Sequence, residues 1–374
     1  LIVVANPFLL ALGGRLHAVF IVIAQVQDRL DLRNRAMMAA LEQPLLYQPE
    51  DVTSREEAIA QATTPEALAL EEAIAGLLET MDNEAITPSD GLRIYSESFE
   101  SQPDGNTIQC QIIRPDNDDV LPCVYYIHGG AMMILSAFAG NYRAWGKTIA
   151  RQNLCVVMVD FRNSLRPSSA EEIAPFPAGL NDCVSGFHWV AQTSQALGID
   201  PAQILIAGES GGGNLAIATT MRLKSEAADA TPLGLYALCP YLLGRWPDES
   251  APSTIENEGV LLSVANNHAT MAYGIDAYEN RNPLAWPGFA SQDDVAGFPP
   301  TMISVNECDP LRDEGVHFYR LLQESGVFSH CRQVMGSVHA NELFAAVVPD
   351  LGRATARDIA GWMDECRIQR ALEA

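Results

Sequence analysis

The sequence contains few basic residues. Its 374 residues include 23 Lys and Arg against 47 Asp and Glu, so the formal net charge at pH 7 is −24. A surface this acidic repels the phosphates of nucleic acids and of anionic membranes, and we expect neither as a partner. Hydrophobic residues make up 48% of the chain, the usual share for a folded globular protein, which excludes a disordered or fibrous one.

Cysteine pairs of the C-x-x-C type are absent, and no histidine lies at zinc-ligand spacing beside two of the 8 cysteines. The pattern therefore gives no indication of a structural zinc site. Cys123, Cys155 and Cys239 lie in or beside apolar stretches, where a free thiol behaves as a small hydrophobic group. A chain of this length needs no disulfide to fold. We expect a reducing compartment, the cytoplasm.

An uncharged apolar run of about 18 residues, the length of a membrane-spanning helix, is also lacking. The most apolar segment, Leu1–Val26, is interrupted by a proline, a glycine pair and an arginine. From Leu16 to Leu30 apolar residues recur at helical spacing, which predicts an amphipathic helix lying on the protein itself. An uncleaved signal or a membrane-docking segment is the alternative.

The following residues predict a second helix. Thr64 has the character of an N-cap, with Pro65 at the first helical position and Glu66 in the first turn. Between the two helices Gln43–Asp51 indicates a loop. The predicted apolar face of the second helix is Leu70, Ile74, Leu77 and Met81. We expect residues 1–90 to form an N-terminal helical segment that carries no catalytic motif.

Beyond residue 91, short apolar runs alternate with helical stretches, which predicts an α/β fold with a mostly parallel central sheet and helices on both faces. The stretch Leu242–Gly288 breaks this alternation and predicts an insertion between two strands. The predicted strands are Arg93–Phe99, Thr107–Ile113, Cys123–His128, Leu154–Asp160, Ala202–Ala207, Leu233–Leu238, Thr301–Val305 and Val327–Val334. The predicted helices are Gly179–Leu197, Gly213–Ser225 and Glu314–Ser325.

The strongest catalytic motif is Gly208-Glu209-Ser210-Gly211-Gly212, which directly follows a predicted strand. A G-x-S-x-G string between a strand and a helix predicts a nucleophile elbow, whose strained turn lifts the serine hydroxyl clear of the sheet. A glycine-rich loop before a helix can instead bind a phosphate or form a simple tight turn. The strand before the motif and the helix after it favour the elbow, with Ser210 as nucleophile.

A second glycine motif, His128-Gly129-Gly130-Ala131, follows another predicted strand. Glycines at such a position leave backbone N–H groups free to bind a developing oxyanion. Together with Gly211, the residue after the predicted nucleophile, Gly129 and Gly130 would supply three donors. The simpler interpretation is a strand-ending turn with a structural His128, but the pairing with the elbow favours an oxyanion hole.

A nucleophilic serine needs a base, and the base needs an orienting carboxylate. Three histidines lie late in the chain, and we prefer His339 because it follows the last predicted strand in a loop, where a side chain can reach a cleft. His317 and His330 fall within a predicted helix and a predicted strand.

The predicted carboxylate is Asp309, which follows the strand Thr301–Val305 and keeps the chain order Ser, Asp, His. Asp followed by Pro310 is also a standard helix start, so a structural role stays open. Glu307 and Asp313 are rival carboxylates.

These residues together resemble the hormone-sensitive-lipase-like branch of the α/β-hydrolase esterases, called bacterial family IV. The resemblance extends from near Gly91 to the C-terminus. It implies a triad of Ser210, Asp309 and His339, no metal or organic cofactor, and a cap built from the N-terminal helices and an insertion at about residues 242–288. The matching pieces are His128-Gly129-Gly130, Gly208-Glu209-Ser210-Gly211-Gly212-Gly213-Asn214, Asp309-Pro310-Leu311-Arg312-Asp313-Glu314-Gly315 and His339.

Four departures from the family pattern concern cleft shape and substrate preference. Ala131 replaces a third glycine, Glu209 replaces the usual Asp before the nucleophile, and Ala340 replaces a glycine after His339. The stretch Asp160-Phe161-Arg162-Asn163-Ser164 replaces the family's Tyr-Arg-Leu-Ala-Pro run.

The resemblance implies a carboxylic ester hydrolase acting on short-acyl or aryl esters, with small-molecule substrates and an oligomeric state that the sequence leaves open. Because the base must be neutral, we expect activity to fall below about pH 6.5. The alternatives are an amidase or peptidase with the same triad, a membrane-docked lipase acting through Leu1–Val26, and a ligand-binding receptor on the same fold. Trp246 and Trp286 either line the acyl pocket or pack the insertion onto the core.

Overall fold

The computed structural model describes residues 26, 28–40, 50–226, 230–245 and 247–373. Most of the predicted helix between Leu16 and Leu30, most of the predicted loop Gln43–Asp51, and Trp246 lie outside the described residues. At the end of that predicted helix, Val26 and Leu30 are buried against Val260 and Val338.

A single eight-stranded sheet forms the centre of the molecule, in the order β1-β2-β4-β3-β5-β6-β7-β8. β2 pairs antiparallel with both β1 and β4, and the remaining pairs are parallel. The strands are β1 (Leu92–Glu100), β2 (Thr107–Pro115), β3 (Leu121–Ile127), β4 (Cys155–Val159), β5 (Ile199–Glu209), β6 (Gly234–Leu238), β7 (Thr301–Asn306) and β8 (Ser329–Val334). The eight strands predicted from the sequence are all present, with shifted ends.

The central strands are apolar because both of their faces are covered. Every residue of β4, β6 and β7 is buried, whereas Phe99 is the one buried residue of the edge strand β1. Successive residues of a strand point to opposite faces. Tyr125 accordingly packs in one core cluster, while Val124 and Tyr126 pack in the other.

Helices cover both faces of the sheet, as the strand–helix alternation predicts. The helices are α1 (Leu32–Ala40), α2 (Arg55–Ala62), α3 (Pro65–Glu79), α4 (Gly140–Ala150), α5 (Ala178–Gln192), α6 (Ser194–Leu197), α7 (Gly211–Ser225), α8 (Ser253–Glu256), α9 (His268–Glu279), α10 (Gln292–Val295), α11 (Arg312–Glu324) and α12 (Pro349–Glu373), with 3₁₀ turns at Pro287–Phe289 and Asn341–Leu343. α5, α7 and α11 pack on the face of Tyr125, and α4 and α12 pack on the opposite face. The mostly parallel α/β architecture is therefore confirmed.

We use the name N-terminal segment for residues 50–90, which contain α2 and α3. Thr64 is the N-cap of α3, since its hydroxyl accepts the N–H of Ala67 at 3.3 Å. No side chain of α3 is buried. After α3, Lys147 of α4 donates to Asp82 at 2.6 Å and to Glu84 at 2.8 Å, which connects the end of the N-terminal segment to the core.

The stretch between β6 and β7, which we call the insertion, contains α8, α9 and α10. α9 contacts α2: Ala58 packs with Met271 and Ala272 in one small cluster. Arg55 donates to the carbonyl of Ala272 at 3.3 Å and to that of Ser164 at 2.8 Å. The N-terminal segment and the insertion thus pack against each other. Within the described residues, no helix has both the length and the apolar character needed to cross a bilayer.

Candidate active site

Ser210 lies in the turn between β5 and α7 in a strained backbone conformation. Its φ is 57° and its ψ −122°, a region that residues other than glycine rarely adopt. The neighbouring strand stabilises this turn, because the Ser210 N–H donates to the Leu238 carbonyl and the Tyr241 N–H donates to the Ser210 carbonyl, both at 3.0 Å. Only glycine fits at position 212, where a Cβ would lie 2.0 Å from the carbonyl oxygen of Ile127.

Asp309 and His339 are brought together at the carboxyl ends of β7 and β8. The His339 Nδ1–H donates to Asp309 Oδ2 at 2.8 Å. The other carboxylate oxygen accepts the N–H of Leu311 at 2.9 Å, so Asp309 also supports the start of the following turn. Asp309 is 0% exposed, while Ser210 and His339 are each 9% exposed. The acid is thus fully shielded from water, while the other two residues keep a small exposed fraction.

The rival residues have other partners. Glu307 accepts the N–H of Gly336 at 2.7 Å. Asp313 is ion-paired to the neighbouring arginine at 2.7 Å. His317 lies on α11 and His330 on β8, as the sequence predicts. Of the candidate acids and bases, Asp309 and His339 are the pair joined by a hydrogen bond.

The charge of Asp309 sets the protonation of His339. Burial lowers the pKa of His339, but the adjacent carboxylate and its hydrogen bond more than offset this and raise that pKa well above its usual value. The thiol of Cys239 also contacts His339, a contact that the sequence gives no means of finding. Burial raises the pKa of Cys239 to about 11, so it is a neutral thiol near pH 7.

Cys239, Asp309 and His339 each offer a metal-ligand atom within 4.8 Å of the others. A metal ion at this place would have to displace the hydrogen bond between His339 and Asp309.

The glycine loop after β3 lies beside Ser210, but it differs from the prediction at one residue. The Gly129 N–H donates to Glu209 Oε1 at 2.6 Å and to Tyr142 Oη at 3.0 Å. The expectation that Gly129 supplies an oxyanion donor is therefore wrong, because a buried carboxylate already occupies its amide.

The next residues of the loop are better placed to donate. A Cβ on Gly211 would lie 2.7 Å from the amide nitrogen of Ala131, so the two backbones are in contact. Within the described part of the chain, the amides of Gly130, Ala131 and Gly211 donate to no protein acceptor. Ala131, which the sequence marks only as a departure from a glycine, thus has an amide beside Ser210 that no described residue binds, a feature that the sequence did not indicate.

Two neighbouring cavities lie on the side of the molecule where Ser210 is exposed. A cleft of about 140 Å³ contains Ser210 together with Ala131, Tyr241 and Leu262. A larger cavity of about 820 Å³ shares Met133, Leu262 and Asn266 with it. The side chains of α3 that line the larger cavity are Ala67, Leu70, Glu71, Ile74, Ala75, Leu78 and Glu79.

Trp286 packs in the core and does not line either cavity. It is 0% exposed, and its ring makes edge contacts with Tyr241, Tyr273 and Tyr278. Of the two roles considered for this tryptophan, packing the insertion onto the core is the one observed.

A family model described as the alpha/beta hydrolase fold matches residues 124–343. The chain belongs to the α/β-hydrolase family. This α/β-hydrolase is 33% identical over 263 residues to carboxylesterase NlhH of Mycobacterium tuberculosis, an alignment that covers 68% of this chain and 76% of the relative.

Solved esterase structures resemble this α/β-hydrolase over most of its length. Esterase Est22 is 54% identical, with a TM-score of 0.87, and the match covers 90% of this chain and 96% of that one. Brefeldin A esterase, described as a bacterial homologue of human hormone-sensitive lipase, is 33% identical, with a TM-score of 0.78 and coverage of 91% and 95%. The hormone-sensitive-lipase-like branch predicted from the motifs is confirmed. The α/β-hydrolase is a carboxylic ester hydrolase.

Proposed function

We propose that this enzyme cleaves esters through a Ser210-His339-Asp309 triad and an acyl-enzyme. The observation that carries the proposal is the 2.8 Å hydrogen bond from His339 Nδ1 to the buried Asp309, beside a strained serine turn. With Nδ1–H bound to the carboxylate, the other ring nitrogen is left as the base.

The reaction then proceeds in two halves. His339 removes the hydroxyl proton as Ser210 attacks the ester carbonyl, and returns that proton to the leaving alcohol. Water, activated by the same imidazole, then releases the acid from Ser210. The amides of Gly130, Ala131 and Gly211 would stabilise the oxyanion in both halves, since they have no other acceptor among the described residues.

The substrates that we propose are short-acyl or aryl esters. The 140 Å³ cleft at Ser210 suits a small group, and the apolar 820 Å³ cavity beside it suits a larger one on the other side of the ester. Two related proteins agree with this choice: Est22 has been solved with p-nitrophenol, and a Pseudomonas putida relative, 26% identical over 244 residues, is named ethyl acetate hydrolase.

We also propose that residues 1–90 and an insertion at about 242–288 form a cap over the catalytic part, residues 91–374. The contacts between α2 and α9 support this division, because they join the two segments directly to each other.

The test is hydrolysis of p-nitrophenyl esters from acetyl to palmitoyl by the wild type, by Ser210→Ala and by the matched control Ser194→Ala. Ser194 is a buried serine at the start of α6, away from the cleft. We expect turnover of the short esters and a loss of about 10⁶-fold in Ser210→Ala, with Ser194→Ala close to the wild type.

Wild-type activity in Ser210→Ala would refute the triad. Turnover of acyl anilides at rates equal to those of the esters would instead favour the amidase alternative. Binding of esters without turnover would favour the receptor.

A further inference from the structure

Glu209 joins the two loops that form the proposed oxyanion site. It is the last residue of β5 and directly precedes Ser210, yet its side chain turns back to the loop after β3. Glu209 is 2% exposed. Its Oε1 accepts the N–H of Gly129 at 2.6 Å, although 80 residues separate the two along the chain.

Two buried tyrosines complete the environment of this carboxylate. Tyr142 of α4 donates to Oε1 at 2.7 Å, and Tyr126 of β3 donates to Oε2 at 2.5 Å. These two residues are 1% and 0% exposed. Both oxygens of Glu209 are therefore hydrogen-bonded, and these bonds hold the carboxylate against the Gly129 amide.

The loop passes so close to the carboxylate at Gly129 that a side chain there would clash. A Cβ on Gly129 would lie 2.3 Å from Glu209 Oε1. The backbone of the loop thus rests directly on the carboxylate, and the amides of the next two residues, Gly130 and Ala131, have their directions set by that contact.

We propose that Glu209 is a positioning residue for ester hydrolysis: by binding the Gly129 amide, its carboxylate aims the amides of Gly130 and Ala131 at the oxyanion formed on Ser210. Tyr126 and Tyr142 hold the carboxylate in place. This inference rests on the proposed triad, and it assigns to the departure from aspartate before the nucleophile a definite role. The extra methylene of Glu gives the carboxylate the reach to Gly129.

The role concerns the transition state rather than the bound ester. Oxyanion donors interact most strongly with the charge that develops on the carbonyl oxygen, so a misplaced donor lowers kcat and leaves KM nearly unchanged. A displacement of about 1 Å in such a site costs about 10²-fold in rate.

The first experiment compares Glu209→Asp and Glu209→Gln with the wild type on p-nitrophenyl acetate. Glu209→Asp withdraws the carboxylate by one methylene, and we expect kcat to fall about 10²-fold with KM within about twofold. Glu209→Gln keeps an oxygen within reach of Gly129, and we expect it to retain kcat within about fivefold of the wild type. An equal loss in both variants would overturn the proposal, because charge and not reach would then be decisive.

A second measurement separates positioning from simple loss of stability. A trifluoromethyl ketone adds to the catalytic serine and places an oxyanion in the hole, so its inhibition constant should weaken in Glu209→Asp by the same factor as kcat. An unchanged inhibition constant, or a lowered kcat explained by a smaller folded fraction, would overturn the proposal.

The tyrosines keep the proposal testable should Glu209→Asp fail to fold. Tyr126→Phe and Tyr125→Phe each remove one buried hydroxyl from β3, but Tyr125 donates to the Cys183 carbonyl at 2.8 Å on the opposite face of the sheet. We expect similar losses of stability in both variants and a fall in kcat, about threefold to tenfold, in Tyr126→Phe alone. Equal kcat values in the two variants would overturn the proposal.

The triad is tested independently by Ser210→Ala. If Ser210→Ala is inactive and Glu209→Asp keeps the kcat of the wild type, this role of Glu209 is refuted while the triad stands.

Discussion

The carboxylates around Ser210 are buried and accept backbone N–H groups, whereas a carboxylate of the N-terminal segment forms an exposed ion pair. Asp309, Glu209 and Glu314 are between 0% and 2% exposed, and each accepts backbone N–H groups from a loop of the site. In the N-terminal segment, Glu71 is ion-paired to Arg166 with 47% of its side chain exposed, and the helix that carries it has no buried side chain. Buried, hydrogen-bonded carboxylates hold the loops around Ser210, while a helix with no buried side chain borders the cavity.

Removing one of the buried carboxylates should have the largest effect on activity. Asp309→Asn keeps the shape of the acid but removes its charge and favours the wrong tautomer of His339, and we expect kcat/KM to fall about 10⁴-fold. Steady-state hydrolysis of p-nitrophenyl acetate measures this. Asp313→Asn is the matched control, because that carboxylate is bound to Arg312 and Ser253 instead; an equal loss in both variants would contradict the assignment of Asp309.

A second test of the buried groups is the dependence of activity on pH. As the proposed base, His339 can act only when neutral, and Asp309 raises the pKa of His339 well above its usual value although burial alone would lower it. We therefore expect kcat/KM to rise through a midpoint above pH 6.5 and to fall about tenfold per pH unit below that midpoint. The sequence alone predicts that activity falls below about pH 6.5, and the contact with Asp309 raises the pH at which we expect this fall. A midpoint below pH 6 would contradict the coupling of His339 to Asp309.

The role of the exposed helix α3 can be tested by filling the larger cavity that it borders. Ile74→Trp adds bulk to the side of α3 that lines the cavity, and we expect kcat/KM for long-chain or bulky esters to fall about tenfold relative to acetate esters. The ratio of the two rates in parallel assays measures the change. Leu68→Trp, on the same helix with 40% of the side chain exposed and outside the cavity lining, serves as control. The same shift in both variants would argue against the cavity as a substrate site.

The smallest expected effect on kcat comes from weakening the connection between the N-terminal segment and the core. Lys147→Met removes the cation that binds Asp82 and Glu84. Because Glu84 is 65% exposed, we expect a loss of about 2 kcal/mol in the free energy of unfolding, below that of a fully buried pair.

In the same Lys147→Met variant, proteolysis in residues 50–90 should become faster, and kcat for acetate esters should change less than about threefold. Urea unfolding and limited proteolysis measure the two effects. Lys224→Met, which removes an exposed ammonium bound to the Asp293 carbonyl, should leave both unchanged. A collapse of kcat in Lys147→Met would show that the two regions are not separable.

The sequence predicts those features that depend on local chemistry. The strands appear because fully apolar runs can only be buried, and the turn at Ser210 appears because glycines surround a residue that needs a strained backbone. The sequence favours Asp309 over Glu307 and Asp313 by its place after a strand, but the hydrogen bond to His339 needed the structure, since it depends on where the His339 loop lies after folding.

The error at Gly129 has a similar cause. From the sequence, a glycine after a strand is expected to have an N–H group without a partner. Nothing in the neighbouring residues shows that this N–H donates to the carboxylate of Glu209. In α3, likewise, the helical period includes Leu77 in the apolar face, whereas Leu78 is the residue that lines the cavity and Leu77 is 37% exposed.

The absence of buried side chains on α3 has a consequence for how this enzyme can change over evolution. Substitutions at positions that contribute little to the core typically alter the free energy of unfolding by about 0.5 kcal/mol or less. Residues such as Leu70 and Ile74 border the cavity without being buried, so if the cavity holds part of the ester, as we propose, selection can alter the ester preference there while folding stability stays nearly unchanged. New specificity in this protein need not be accompanied by a compensating mutation elsewhere.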